Sequence, residues 1–262
     1  MAESAGLYVE RRGSGQPLVL LHGGVGSWNH WVRNVDALGE QFAVYAIDLP
    51  GFGRSPIADQ KMPRDEYLAL CTQAIDELLP QGPALMAGFS FGGVVGSSVA
   101  AALGDRFARV SFISPGGLLS IREGDPVYRR MPPDGAPADE IRAVVRHNLL
   151  QLMLHHPASV GEETIDMQLE NIANTRFHSR SVSRYDCLLD ELRRIPAPLQ
   201  IVLGEHDTVL YPSHERRIAH LRSARPDLRL DMIDGAGHWM QYERADAVNR
   251  VLIDFFTGEP GT

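Results

Sequence analysis

Ser90, Asp207 and His238 are the three residue types that together carry acyl transfer, and they stand in the chain in that order. A serine hydroxyl is a poor nucleophile near neutral pH. It needs a histidine to take its proton, and the histidine needs a buried carboxylate to fix its tautomer and stabilise its charged form. Ser90 lies in "MAGFSFGGVVG" (86–96), fenced by Gly88 before it and by Gly92 and Gly93 after it. A serine in an ordinary turn needs no such fence. A turn so sharp that side chains at positions 88 and 92 would strike neighbouring backbone explains the glycines, and would push the hydroxyl out into a cleft. Asp207 follows the apolar run "LQIVLG", with Glu205 two residues upstream as a rival acid, and His238 follows "LRLDMIDGAG".

The elements that must position these residues alternate in type. "PLVLLHGG" (17–24), "FAVYAIDLPG" (42–51), "PALMAGFS" (83–90), "RVSFISPGG" (109–117) and "PLQIVLGEHD" (198–207) are short apolar runs ended by glycine, proline or polar residues, the form of strands buried on both faces. Between them lie helical segments. "RDEYLALCTQAIDELL" (64–79) is amphipathic, "FGGVVGSSVAAAL" (91–103) is small and apolar almost all round, and "RADAVNRVLIDFF" follows His238. The alternation predicts an α/β fold with a mainly parallel sheet, helices on both faces, and a ligand site beyond the carboxyl ends of the strands. Ser90, Asp207 and His238 all fall at that edge, Ser90 between a strand and a helix whose free N–H groups and positive end face the cleft. One stretch interrupts the pattern: "DEIRAVVRHNLLQLML" (139–154), "EETIDMQLENIANTR" (162–176) and "SVSRYDCLLDELRR" (181–194) are helical with no strand among them. This predicts a body of residues 1–117 and 195–262 and a helical cap of residues 118–194 over its active edge.

Composition narrows the function. A chain of 262 residues, 44% hydrophobic, can bury a sizeable core. A net charge of -8, with basic residues in pairs such as Arg129-Arg130 and Arg193-Arg194, argues against nucleic acid as a partner. The N-terminus lacks a basic start followed by an apolar core, and no apolar run reaches the roughly 18 residues of a membrane helix, so a cytoplasmic protein without a membrane partner is expected. Cys71 and Cys187 form no pair motif and are expected as buried thiols. The ten histidines show no ligand spacing and the glycines near Gly13 and Gly15 form no dinucleotide fingerprint, so neither metal nor cofactor is expected.

Taken together, the chain resembles the α/β-hydrolase family: Gly-x-Ser-x-Gly between strand and helix, the order Ser, Asp, His, the His-Gly loop "LLHGGVGSW", the turn "DLPGFGRS" (48–55) and the segment "GAGHWMQYERAD" (235–246). The resemblance covers nearly the whole chain. It implies Ser90, Asp207 and His238 as catalytic residues and the N–H groups of Gly24 and Phe91 as an oxyanion hole. It implies His22 as an organiser of its loop and Asp48 as the residue that fixes its turn.

Within the family, "GHWMQYERAD" and "WNHWVRN" (28–34) are similar to segments of the meta-cleavage-product hydrolases, which cut a carbon-carbon bond in vinylogous diketones. That branch has asparagine where this chain has Phe89 and His30, and a cap arginine for which Arg176 and Arg180 are candidates. With two polar anchors replaced, the leading expectation is a carboxylesterase-type serine hydrolase acting on a small, largely apolar acyl substrate. Trp239, Trp28, His30 and Phe89 are expected at the pocket, and Met153 and Leu154 are weaker candidates. Carbon-carbon cleavage and a slow or non-catalytic ligand receptor on the same fold are the alternatives, and self-association is left open.

Overall fold

The computed structural model describes residues 6–118, 128–207, 209 and 213–258. In chain order the elements are β1 (Val9–Arg12), β2 (Pro17–Leu21), α1 (Val35–Gly39), β3 (Ala43–Ile47), α2 (Arg64–Leu78), β4 (Ala84–Phe89), α3 (Phe91–Leu103) and β5 (Phe107–Ile113). There follow α4 (Ala138–Leu152), α5 (Glu162–Ala173), α6 (Arg180–Ser183), α7 (Leu188–Arg194), β6 (Leu199–Gly204), α8 (His214–Ala224), β7 (Arg229–Ile233), α9 (Met240–Glu243) and α10 (Ala245–Thr257).

The strands form one sheet in the order β1-β3-β2-β4-β5-β6-β7. β1 runs antiparallel to β3 and the remaining pairs are parallel. Alternate residues of β2 go to opposite faces. Val19 and Leu21 pack under α2 and α3 with Tyr67, Cys71 and Val95, whereas Leu18 and Leu20 pack with Leu38 of α1 and with Leu252 and Phe256 of α10. Both faces are therefore covered, which is why the central strands are continuous apolar runs.

Two strands are not apolar runs. β1 is "VERR" and β7 is "RLDMI", both half-exposed at the sheet's edges, where only one side of each strand meets the core. The last helix before β6, α7, lies against α3 and α8. Leu188 and Leu192 of α7 belong to the same core cluster as Val94 and Val95 of α3, and Arg225, after α8, donates to the carbonyls of Leu192 and Ile195. α7 thus packs against α3, and Val182 of α6 belongs to the same cluster. The expected single helix over 181–194 is split because the Gly117 carbonyl accepts from the N–H groups of both Cys187 and Leu188, drawing the chain out of α6. Cys71 is buried as expected, whereas Cys187 is half-buried. Among the described residues, no helix is long and apolar enough to cross a membrane.

Candidate active site

Ser90 sits between β4 and α3 at φ 50°, ψ −108°, a conformation that costs about 1–3 kcal/mol for a residue with a Cβ. Surrounding backbone holds it there: its N–H donates to the Ile113 carbonyl (2.9 Å), and its carbonyl accepts from Gly93 (3.0 Å) and Gly116 (3.0 Å). The flanking glycines have the steric reason their pattern implied. A Cβ on Gly88 would lie 2.5 Å from the Gly92 carbonyl oxygen, and one on Gly92 would lie 2.6 Å from that of His22. The serine side chain is left partly open to solvent.

The structure brings the three expected residues together. Ser90 Oγ is 3.0 Å from His238 Nε2, and His238 Nδ1 is 3.1 Å from Asp207 Oδ1. Asp207 is closed from solvent and its carboxylate meets four donors. Oδ1 faces His238 and accepts from the Val209 N–H (3.1 Å); Oδ2 accepts from Ser114 Oγ (2.5 Å) and from Nη1 of Arg217 (3.0 Å). Burial alone pushes this carboxyl up. The His238 and Arg217 charges and the hydrogen bonds from His238 and Ser114 outweigh it and hold Asp207 far below the usual carboxylate range. Glu205, the rival acid, turns away to accept from the Gly235 N–H (2.8 Å) and is half-exposed.

The loop after β2 approaches the same point. His22 is fully buried; its Nδ1 lies 2.7 Å from the Gly23 carbonyl and its Nε2 accepts from the Leu49 N–H (2.9 Å), so the ring ties two loops together. Burial pushes its pKa down to about 4. Asp48 accepts from the N–H groups of Trp28 (2.7 Å) and Arg54 (2.8 Å), which fixes its turn. Among the described residues, neither the Gly24 nor the Phe91 N–H has a protein acceptor. A Cβ on Gly24 would lie 3.7 Å from that of Phe91, which brings the two segments into contact.

Of the residues expected at the pocket, three are buried and one is half-buried. Trp239, His30 and Phe89 are closed from solvent and form a wall behind the site. The Trp239 indole N–H donates to the His30 carbonyl (2.9 Å) and its ring stacks on Tyr242 at 4.3 Å. The Phe89 ring lies 5.0 Å from that of His238. His30 accepts from the Gly23 N–H at Nδ1 (3.2 Å), and burial, with His22 and His238 nearby, pushes its pKa well below the ordinary value, so it stands neutral in the core. Phe89 thus packs against His238 and His30, and Trp239 against His30. Trp28 is half-buried and faces a polar cavity of about 250 Å³ shared with Asp48 and Asn171. Met153 and Leu154 do line a cavity, of about 360 Å³, with His238, His155 and His206.

Arg176 donates to the carbonyls of Gly53 (2.9 Å) and Ser55 (2.7 Å), and Arg180 is exposed. Two further residues, Ser114 and Arg217, lie outside every motif, and Glu243 lies inside the segment "GHWMQYERAD" without a role assigned to it there. Glu243 accepts from the N–H groups of His155 (3.1 Å), His156 (2.7 Å) and Gly237 (2.7 Å), joining the His238 loop to the chain after α4. Arg217 was traceable, since it shares a buried helix stripe with Leu221 and Ala224 while Arg216 is exposed. Among the described residues, no group of three His, Cys, Asp or Glu side chains is arranged to hold a metal ion.

Comparison with known proteins agrees with this architecture. Over 249 residues the chain is 30% identical to the dihydrolipoyllysine-residue acetyltransferase component of the acetoin cleaving system of Pseudomonas putida, covering 92% of this chain and 63% of that protein's length. It is 25% identical to the 2-hydroxy-6-oxo-6-phenylhexa-2,4-dienoate hydrolase of Comamonas testosteroni, covering 95% of this chain and 90% of that one. Among solved structures, a candidate aryl esterase from Burkholderia cenocepacia superposes with a TM-score of 0.80 at 25% identity, covering 96% of this chain and 94% of the other. The model of the alpha/beta hydrolase family matches residues 18–251, and the chain belongs to that family.

Proposed function

We propose that the protein is a serine hydrolase that cleaves small, largely apolar esters through an acyl-enzyme. The observation that carries this reading is the continuous line from Ser90 Oγ through His238 to the buried Asp207, at 3.0 Å and 3.1 Å. His238 Nε2 takes the hydroxyl proton as Ser90 Oγ bonds to the substrate's carbonyl carbon. Asp207 supports the imidazolium that results, and the N–H groups of Gly24 and Phe91 donate to the oxyanion, a contribution of about 3–4 kcal/mol per donor in related chemistry. The tetrahedral centre then collapses, the carbon–oxygen bond to the alcohol breaks, and His238 returns the proton to the leaving oxygen. Water, deprotonated by His238 in turn, attacks the acyl carbon; the bond to Ser90 Oγ breaks, His238 returns the proton to Oγ, and the acid is released.

Ester cleavage is favoured over carbon-carbon cleavage because, among the described residues, the positions expected to grip an acidic substrate offer little to hold it. A dienone acid must be held by cations or amides while a proton moves within it. Among the described residues, Arg176 is spent on backbone carbonyls, Arg180 is exposed, Phe89 is apolar and His30 is neutral and closed off. The second reading rests on the Comamonas testosteroni hydrolase named above, which spans almost the whole chain. Measuring kcat/KM for phenyl acetate, longer aryl esters and a meta-cleavage dienedione on one preparation separates the two. Esters are expected to be turned over more efficiently. A dienedione cleaved at least tenfold more efficiently, about 1.4 kcal/mol of extra transition-state stabilisation, would reject the ester reading. A ligand receptor would form the acyl-enzyme but release it slowly or not at all, which single-turnover kinetics would show.

A further inference from the structure

We propose that Arg217 is a positioning residue for the Asp207–His238 pair, fixing the face that the carboxylate presents to the histidine and sharing its negative charge. The inference rests on the serine-hydrolase reading above. Arg217 lies on α8 with its side chain 1% exposed, against an Asp207 side chain that is fully closed. Its Nη1 is 3.0 Å from Asp207 Oδ2, and its Nη2 is 3.5 Å from the carbonyl oxygen of the same residue. Its Nε has no partner among the described residues. This buried cation is therefore committed to one residue, the acid that supports the histidine. An arginine kept only for stability has no reason to be there, because a buried ion pair is often no better than apolar packing, and Leu221 and Ala224 fill the same stripe of α8.

The geometry gives this cation two effects. It divides the carboxylate: with Arg217 and the Ser114 hydroxyl on Oδ2, Oδ1 alone is presented to His238. It also sets the charge balance. With a neutral imidazole, Asp207 and Arg217 form a neutral pair, so protonating His238 places a cation beside that pair rather than beside an uncompensated carboxylate. Arg217 thereby takes up part of the carboxylate's charge that would otherwise act on the histidine alone. The other titratable groups around His238 are His30 behind the site, and His155, Glu205 and His206 around the cavity that His238 lines. All of these stay constant when position 217 alone is changed.

The test is the pH dependence of Ser90 phosphonylation by a p-nitrophenyl phosphonate. It is followed by mass spectrometry in the wild type, Arg217→Gln, Arg217→Met and Arg217→Lys, with folding checked by near-ultraviolet circular dichroism. Removing the charge lets the whole carboxylate act on the imidazolium, so the acid limb of the Gln and Met variants should move up by roughly one pH unit. The Lys variant keeps the charge, and its limb should stay in place even if the rate falls. A purely structural arginine would change the melting temperature and leave the limb where it was. A limb within about 0.3 pH units of wild type in a folded neutral variant overturns the proposal, as does a Lys variant that moves as far as Gln. Failure of both neutral variants to fold would also overturn it, by showing Arg217 to be a prop of the fold. Absence of any Ser90 adduct in the wild type rejects the serine-hydrolase reading and this inference with it; an adduct without the shift rejects this inference alone.

Discussion

Asp207→Asn is the perturbation for which the structure predicts most. All four partners of the carboxylate are donors: His238 and the Val209 N–H on Oδ1, Ser114 and Arg217 on Oδ2. An amide offers one acceptor oxygen and one NH₂, so one pair of donors must meet another donor. The guanidinium decides which, because facing a buried cation with an NH₂ costs more than facing an imidazole that can change tautomer. The amide oxygen therefore goes to Arg217 and Ser114, and the NH₂ faces His238 Nδ1. The imidazole then carries its proton on Nε2 and cannot take the one on Ser90. The expected loss in kcat is about 10⁴-fold, or about 5.4 kcal/mol. Arg217 is also left buried beside a neutral group, which should lower folding stability by about 3–5 kcal/mol. Aryl-ester kinetics and urea unfolding measure the two effects. The double variant Asp207→Asn, Arg217→Gln removes the stranded charge, so it should regain most of the stability and none of the activity. An Asp207→Asn enzyme within tenfold of wild type, or a double variant no more stable than the single, would refute the reasoning.

Other outcomes follow from the same geometry. Glu205→Gln alters a half-exposed side chain that accepts one N–H, and kcat/KM should change less than about threefold. Glu243→Gln removes acceptor capacity from three N–H groups that hold the His238 loop, and should cost about 1–3 kcal/mol of stability and roughly tenfold or more in kcat; equal effects of the two substitutions would contradict the assignment. His22 should make stability depend on pH. Its pKa falls from 6.5 to about 4 on folding, so between these values the unfolded chain binds the extra proton, and stability falls as pH drops through that window. The full contribution is about 3 kcal/mol. Buried His30 acts in the same direction and Asp48, whose carboxyl is raised by burial, in the opposite one. His22→Gln should therefore reduce the slope of unfolding free energy against pH by about 1.4 kcal/mol per unit, and an unchanged slope would show that His22 is not buried neutral.

The legible parts of this molecule are those where one physical demand dominates. The central strands were visible because both faces are buried, leaving β2 and β4 no polar position. The serine turn was visible because a Cβ at Gly88 or Gly92 would strike backbone. The edge strand β1 was not, and β7 only as the run that leads to His238, since a half-exposed strand tolerates Glu, Arg and Asp. The break between α6 and α7 depends on the Gly117 carbonyl, which lies far away in sequence, and local periodicity does not register it. Ser114 left no motif, because its partner Asp207 is 93 residues away. The order of Ser90, Asp207 and His238 along the chain named the reacting groups, while the polar groups that orient them belong to tertiary structure. Trp239 shows the converse difficulty: beside His238 in sequence, it turns into the core against Tyr242.

The most direct test of the central claim is mass spectrometry of the protein quenched in acid during turnover of an aryl ester, with the Ser90→Ala variant in parallel. An acyl group is expected on the peptide that contains Ser90, absent from the variant, with a fall in turnover of roughly 10⁶-fold in a variant that still folds. Turnover with the acyl group on another residue, or a folded Ser90→Ala variant that keeps more than a few per cent of wild-type activity, would contradict it.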